Sequence, residues 1–454
     1  MNRRHMELTG WGRVPASAAD VAFPTDVDEL AKAAHDAGPR GAITRGLARS
    51  YGDAAQRAGG LVVDATRVTG ILDFDDQDGV VRVLAGTSLD ELLRVIVPRG
   101  WFVRVTPGTR FVTIGGMIAS DVHGKNHHTD GAIGLHVRSL VLALADGTRR
   151  TLTPNGTPAE FWATCGGMGL TGAILEATLV LRRIESSRLL VDTDRVRDLD
   201  DLLDRLRSGG DRYRYAVAWI DLLARGRNLG RSVLTQGDFA PAEALDARHR
   251  DDPLRYGPRP PLPMPSAPNG LLNRMSIQAF NELWFRKAPR HRTGELQSIA
   301  TFFHPLDMLA GWNKLYGPRG FVQWQCVLPF GQEAVLRRCV EALSRNRTTS
   351  FLAVLKTMGE ADPAPLSFPA PGWTLALDVP AGSVEVATLL RELDRDVADA
   401  GGRIYLAKDS HMDASLVPIM YPRLDEWREV RDRLDPQRRC RSDLGDRLRL
   451  MDRG

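Results

Sequence analysis

Between Pro107 and Val137 the chain reads PGTRFVTIGGMIASDVHGKNHHTDGAIGLHV, which gathers His123, His127, His128, Lys125 and Asp121 beside a Gly-Gly pair. Imidazoles, with an ordinary pKa of about 6.5, accept protons or donate hydrogen bonds at neutral pH. The His-x3-His-His spacing also offers three imidazoles to a metal, but without a clear further ligand set the reading here is no metal. Lysine is rare, 6 residues against 54 arginines, so Lys125 suggests a position that needs a compact ammonium rather than a guanidinium fork. The segment has no long run of helical or strand period and reads as irregular backbone held close to a ligand.

Two further glycine-rich stretches accompany it. TRGLARSYGD (44–53) lies between two strand candidates, and its glycines permit positive φ and close approach of main-chain N–H groups to a phosphate, with Arg45 and Arg49 adding charge. It is not a Walker loop, since no GK[ST] follows, and it lacks the GxGxxG spacing. With TIGGMIASDVHG (113–124) and GGMGLTG (166–172), it makes three separated loops in one region. Together they suit an extended ligand with a pyrophosphate, such as a dinucleotide. The alternative is a β-rich domain that needs three tight turns.

Positioning such loops requires a regular scaffold. Helices are predicted over 26–37 and 88–98, each opening on Asp or Ser with an acid in its first turn. Strands are predicted over 80–85 and 138–145, with a turn at Asp146–Gly147, and the third loop runs into a β-branched strand ending near 181. Charges become dense over 186–250, where a helix is predicted over 198–207. The run 252–270, DPLRYGPRPPLPMPSAPNG, holds seven prolines and reads as a long flexible loop or lid. A strand over 321–329, a helix over 331–346, a strand over 373–380, a strand-like GGRIYLAKDS and a charged helical tail complete the pattern.

The 454 residues exceed the usual size of one core. The expected class is α+β in two domains, with residues 1–186 first, 187–402 second, and 403–454 returning to the first. A net charge of +4, with acids interleaved among bases, carries no nucleic-acid signature. Four cysteines without a CxxC suggest neither a metal site nor a disulfide framework. No apolar run is long enough for a membrane span, and the first residues lack the apolar core of a secretory signal, so an intracellular enzyme is expected.

The blocks RGLARSYGD, PGTR…T-x-GG…DVHGKNHH and GG-x-GLTG resemble the PCMH-type FAD-binding domain of the vanillyl-alcohol-oxidase flavoprotein family. NELWFRK (281–287), FFHPLDM (302–308), YGPRGF (316–321), PLSFP-x-PGW (365–373), IYLAKDS (404–410) and MYPRLDEW (420–427) extend the likeness. It runs from about Leu8 to the C-terminal helix. These blocks are similar to the branch that oxidises the 2′-hydroxyl of polyprenyl-phosphoryl ribose, the flavin subunit of an actinobacterial 2′-epimerase serving arabinan and cell-wall synthesis.

The resemblance implies that the loop Thr44, Arg45, Gly46, Leu47, Ala48, Arg49, Ser50, Tyr51, Gly52, Asp53 and Ala54 wraps the FAD pyrophosphate. It implies that Gly108, then Thr113, Ile114, Gly115 and Gly116, then Ser120, Asp121, Val122 and His123 line the cofactor. Ile174 would meet the adenine side and Tyr405 the isoalloxazine side. Many relatives tether the flavin through a histidine written G-x-G-H-S; Arg49 stands in that place, so the FAD should be non-covalent. Lys408 matches the family's flavin-contacting lysine and would stabilise negative charge on the reduced cofactor; its alternative is a salt bridge with Asp409.

On the substrate side, His123, Lys125 and Tyr51 would face the sugar, with Lys408, His123 and Tyr51 as the catalytic candidates. Trp219, Tyr316, Gln323, Gln325 and Lys356 correspond to the family's pocket, Lys356 pairing with the lipid phosphate. Gln323 and Gln325 lie two apart and share a face on a strand. Trp219 and Tyr316 also read as core, and His127 and His128 as groups that satisfy loop backbone. Ala376 replaces a cysteine carried by mycobacterial members, and Thr374 and His411 stand where related sequences often have Asn and Arg. The implied reaction is oxidation to the 2′-keto sugar, with a separate nicotinamide-dependent short-chain reductase completing epimerisation and with work at a membrane surface. The alternatives are an FAD oxidase of another sugar, alditol or nucleoside, and a flavin-free binding protein of the same fold.

Overall fold

The computed structural model describes residues 2–210, 212–346 and 348–452. Helices are combined with three larger β-sheets, an α+β architecture. A four-stranded sheet runs in the order Asn2–Thr9, Ala16–Phe23, Leu61–Asp64, Ala42–Arg45, the first pair antiparallel and the others parallel. Parallel neighbours need a crossover. Helix Val27–His35 supplies it, with Asp26 accepting from Glu29 N at its start. The second sheet is antiparallel, in the order Ile71–Asp75, Val80–Leu84, Ala173–Arg183, Val137–Ala143, Arg149–Leu152; Trp101–Val103 pairs with the end of its long central strand. Helix Leu89–Ile96 carries a capping box between Ser88 and Glu91 and buries Leu89, Leu92, Leu93 and Ile96.

The third sheet has eight strands, in the order His291–Ser298, Arg188–Val196, Ser232–Phe239, Tyr215–Ile220, Ala353–Met358, Gly372–Pro380, Phe321–Pro329, Arg403–Ile404. Side chains alternate between its faces. Trp324 and Trp373 point to one side, where their indole N–H groups donate to Asp394 (2.8 Å) in helix Val384–Asp399 and to Glu333 (2.9 Å) in helix Glu333–Arg345. The opposite face carries Gln323, Gln325, Thr374, Ala376, Asp378 and Lys356. After this sheet the chain returns to the first half: Trp427 Nε1 donates to Ala163 O (3.0 Å) and Ala42 N to Arg439 O (2.8 Å).

The helices expected over 26–37, 88–98, 198–207 and 331–346 are present as Val27–His35, Leu89–Ile96, Leu199–Gly209 and Glu333–Arg345. Three expectations need correction. The stretch 113–124 is not simply a glycine loop, because Ile114–Ala119 is helical; Thr113 caps it and the glycines occupy the first turn. Only Arg403–Ile404 of GGRIYLAKDS is strand. The charged region 186–250 contributes three strands to the large sheet, since its polar residues alternate with buried ones. Helix Arg274–Lys287 was not signalled by the pattern. The Pro-rich 252–270 run is irregular apart from Leu262–Pro263, which pairs with Leu309–Ala310.

Candidate active site

Strand Ala42–Arg45 delivers the chain into the first glycine loop. Gly46 packs so tightly that a Cβ there would lie 2.2 Å from Thr113 Oγ1, and one on Gly52 would lie 2.1 Å from Asp409 O. Ala48 holds φ +55°, an uncommon value for a residue with a side chain. The main-chain N–H groups of Gly46, Leu47, Ala48, Arg49 and Ser50 have no acceptor among the described residues. Such a run of free donors suits a pyrophosphate. By contrast, Ile114 N donates to Thr87 O (2.9 Å), Gly115 N to Ala85 O (2.8 Å) and Gly116 N to Thr113 Oγ1 (3.2 Å), so this helix start offers close approach rather than donors. Gly108 has open space around it. The residues therefore fit an extended diphosphate cofactor.

The loop is clamped from the far end of the chain. Arg447 donates to both carboxylate oxygens of Asp53 (2.9 and 2.8 Å) and to Asp409 (2.8 Å), joining residues 44–54 to the segment that carries Tyr405 and Lys408. Arg45, expected to add charge for a ligand, is spent on Ala55 O (3.0 Å) and Thr9 O (2.6 Å). Arg49 stacks on Trp11 at 4.0 Å and donates to Leu47 O. Asp121, at φ +40°, accepts from Gly134 N (2.9 Å) and Ser367 Oγ (2.5 Å), which hold the turn before His123. Burial raises its carboxyl well above the usual range, and Asp362 adds to the effect. Tyr405 donates to Ser120 O (2.7 Å), while Ile174 lies buried opposite Leu142 in the second sheet.

His123 stands at the meeting of these parts, 5.2 Å from the Tyr405 ring and 5.5 Å from Phe368. The Gln325 amide donates to His123 Nε2 (3.0 Å) and to Thr374 Oγ1 (3.1 Å). Nε2 is then an acceptor, and the ring proton sits on Nδ1, which is buried without a protein partner among the described residues. Burial, then Lys356, His127 and Lys408, hold the imidazole pKa well below its ordinary value. The ring is neutral and presents one N–H.

Two of the scarce lysines, Lys356 and Lys408, act on it, and Lys125 acts on Lys356. Lys408 Nζ lies 3.9 Å from the Tyr51 ring centroid; burial lowers its pKa, opposed by Asp378. Asp409 pairs with Arg447 at 2.8 Å, so Lys408 is not the partner of Asp409. Lys356 donates to Gly124 O (2.9 Å), and burial with Lys125 and Lys408 lowers it to about 7. Lys125 donates to Phe302 O and sits over the Phe302 ring at 4.3 Å, with burial lowering it to about 7. Its cation is thus spent on Phe302 and reaches the cluster through Lys356. All three side chains keep a partly accessible face although protein surrounds their ammonium groups, as expected for a cleft lining.

Sheet register builds the other wall. Trp219 lies opposite Val354, Val354 opposite Ala376, and Ala376 opposite Gln325, one row across four strands. Gln323 lies opposite Asp378 and donates to it. The other Asp378 oxygen is buried without a partner among the described residues, and burial raises the carboxyl pKa. Gln323 lies beside the Tyr51 hydroxyl, and Tyr316 stacks on Phe321 at 4.2 Å, itself 5.5 Å from Tyr51. Trp219 donates to Phe351 O (3.1 Å). His127 Nδ1 accepts from Gly359 N (3.1 Å) and His128 Nε2 meets Tyr213 O (3.0 Å), so both support loop backbone.

Asp378 and Arg447 were not anticipated, and Thr374 was noted only as a departure from related sequences. Strand alternation from Ala376 could have pointed to Asp378; nothing local marks Arg447. A separate open cavity of about 570 Å³ is lined by Asp221, Arg225, Arg231, Met275 and Glu282. Arg231 is already paired there with Asp221 (2.8 Å) and Glu282 (2.7 Å), so the unpaired chemistry lies around His123. Among the described residues no group of His, Cys, Asp and Glu is arranged for a metal, and no helix is long and apolar enough to cross a membrane.

Comparison with known proteins agrees with this geometry. A family described as FAD binding domain matches residues 18–153. The chain is 42% identical to the decaprenylphosphoryl-beta-D-ribose oxidase of Mycolicibacterium smegmatis over 452 residues, 98% of this chain and 97% of that protein. It is 42% identical over 372 residues to an uncharacterized protein from the mprA 5′ region of Streptomyces coelicolor, covering 80% of this chain and 100% of that one. A D-2-hydroxyglutarate dehydrogenase of Pseudomonas putida is 32% identical over 174 residues, 36% of this chain and 16% of its own length.

Proposed function

The chain belongs to the decaprenylphosphoryl-beta-D-ribose oxidase family, and from that premise we propose that it oxidises the 2′-hydroxyl of a polyprenyl-phosphoryl-β-D-ribose to the 2′-keto sugar. It is an FAD-dependent oxidoreductase. The likeness to the mycobacterial oxidase over 98% of the chain carries this reading, since it runs through both the FAD-binding segment and the sheet face opposite it.

Oxidation of a secondary alcohol removes the proton from the hydroxyl oxygen and a hydride from the carbon that bears it. FAD, when bound, supplies the acceptor for that hydride. The free amides of Gly46 to Ser50 would hold the pyrophosphate, and with Arg49 in the tethering position the flavin would be bound non-covalently. The His123 Nδ1–H donates to a sugar oxygen. Burial brings the Lys408 ammonium down and the Asp378 carboxyl up to about 7, so this pair would take up the hydroxyl proton while Tyr51 keeps its own, and Lys408 would supply the cation that favours negative charge on FAD. Lys356, held by Gly124 O, meets the phosphate, and Gln323, Gln325, Trp219 and Tyr316 bound the sugar. Residues 1–186 and 403–454 form the cofactor domain and 187–402 the substrate domain.

The Pro-rich segment 252–270 serves as a lid. Ala267 N donates to Lys314 O (3.1 Å) and Asn269 Oδ1 accepts from Arg319 N (3.1 Å), which holds the segment against the residues flanking Tyr316. A separate nicotinamide-dependent reductase completes the epimerisation, and the lipid substrate is met at a membrane surface.

Anaerobic mixing of the FAD-loaded protein with a short prenyl-phosphoryl riboside should bleach the oxidised-flavin absorbance and yield a product two hydrogens lighter. Lys408→Met and Asp378→Asn should keep the flavin and slow bleaching on the order of a hundredfold or more. Bleaching by free ribosides or alditols alone would favour a general sugar oxidase, a reading that Ala376 and Thr374 in the pocket make specific enough to test. Protein that binds no flavin would sink the proposal.

A further inference from the structure

Helix Arg274–Lys287 is anchored on one side only. Ile277 is buried, Asn281 donates to Asp221 (2.7 Å), and Arg231 lies over Phe285 at 4.7 Å. Its exposed positions include an apolar series: Met275, Ala279 and Leu283 follow one another at intervals of four, with Met275 82% and Leu283 68% exposed, the first two at the rim of the open cavity beside Asp221 and Arg231. Phe280 and Trp284 flank them as a stacked pair at 6.0 Å, and Leu271 and Leu262 lie exposed in the chain just before. Isolated exposed apolar residues are ordinary, but a contiguous spine of this kind on one helix marks an interaction surface.

Charge identifies the partner. Residues 251–295 carry Arg255, Arg259, Arg274, Arg286, Lys287, Arg290 and Arg292 against Asp251, Asp252, Glu282 and Glu295, an excess of three that is most of the +4 of the whole chain. Arg286 and Arg292 pair with Glu282 and Glu295, which leaves Arg255, Arg259, Arg274, Lys287 and Arg290 as the basic groups around the helix. Arg286 and Lys287 follow Leu283 at the end of the helix, where long basic side chains can reach polar headgroups while the apolar spine sinks below them.

The same surface leads to the candidate site. The Phe280 ring lies 5.9 Å from Phe351, Phe351 5.8 Å from Tyr316, and Tyr316 4.2 Å from Phe321, which neighbours Tyr51. Leu272 packs against that cluster. We propose that helix Arg274–Lys287, with the Leu262 and Leu271 segments, is an interfacial helix that seats the enzyme on an anionic lipid surface and feeds a lipid-linked substrate along this aromatic path. The second half of the statement rests on the reading of the substrate as a polyprenyl phosphate; the first does not.

The test is sedimentation of the FAD-loaded full chain with vesicles of phosphatidylcholine alone or mixed with phosphatidylglycerol. Binding to the mixed vesicles, weakened by salt, is expected. Met275→Ser with Leu283→Asp should lower partitioning at least about tenfold, and Arg286→Glu with Lys287→Glu about as much on anionic vesicles only. Both variants should turn over a water-soluble short-chain prenyl-phosphoryl riboside normally, which separates failure of the membrane surface from failure of the proposed activity. Wild-type protein left in the supernatant, or variants that bind like wild type, would overturn the proposal. So would a patch that drives self-association in analytical ultracentrifugation without vesicle binding.

Discussion

At the scale of single residues, the scarcity of lysine was the clearest signal in the sequence, and Lys125, Lys356 and Lys408 all reach the cluster around His123. What each lysine does there could not be read locally, because it depends on which carbonyl or ring faces the ammonium. Lys125 is turned onto Phe302, whereas Lys356 keeps one bond, to Gly124, and a partly open face. Burial lowers Lys356 to about 7, so it is an ammonium below that pH and neutral above it. If it binds phosphate as a cation, KM for the phosphoryl substrate should rise as pH increases through this range. Lys356→Met should raise KM on the order of tenfold to a hundredfold, flatten that limb and leave kcat nearly unchanged. A KM profile identical to wild type would remove Lys356 from the phosphate site. His123 shows the same limit: its type suggested a base, but burial and then the neighbouring Lys356, His127 and Lys408 keep it neutral, and the Gln325 amide on Nε2 leaves it an N–H to offer.

At the scale of elements, helices with capping residues and the strands over 321–329 and 373–380 were legible because their periodicity is local. Pairing was not. The row Trp219, Val354, Ala376, Gln325 joins residues far apart in sequence, and only register places them on one face. Helix Leu424–Leu434, near the end of the chain, illustrates the same dependence. Its Arg431 is fully buried, donating to Asp435 (3.0 Å), Cys440 O (2.8 Å) and Leu170 O (3.3 Å). Arg431→Met leaves the Asp435 carboxylate buried without its cation and should cost about 3–5 kcal/mol. Arg423→Met breaks an exposed pair with Glu426 and should cost less than about 1 kcal/mol. Denaturant midpoints for the two variants would measure the difference, and equal losses would contradict the burial argument.

At the scale of the whole molecule, the candidate site lies where three remote pieces meet: the loop after Ala42–Arg45, the face of the eight-stranded sheet, and the segment 405–410 held by Arg447. If 252–270 is a lid over this meeting point, a polyprenyl-phosphoryl ligand should slow its cleavage by a protease several-fold while leaving other sites unchanged; equal cleavage with and without ligand would exclude it. The sequence by itself determined the cofactor class and the family, because glycine loops and short motif blocks are contiguous and their spacing survives without coordinates. It also determined most helices, through caps and periodicity that act within a few residues. Only the tertiary structure decided that Arg45 serves the backbone, that Asp378 joins Tyr51 and Lys408, and that helix Arg274–Lys287 touches Phe351 beside Tyr316. Those outcomes depend on which distant groups become neighbours and lose water together, and no local pattern encodes that.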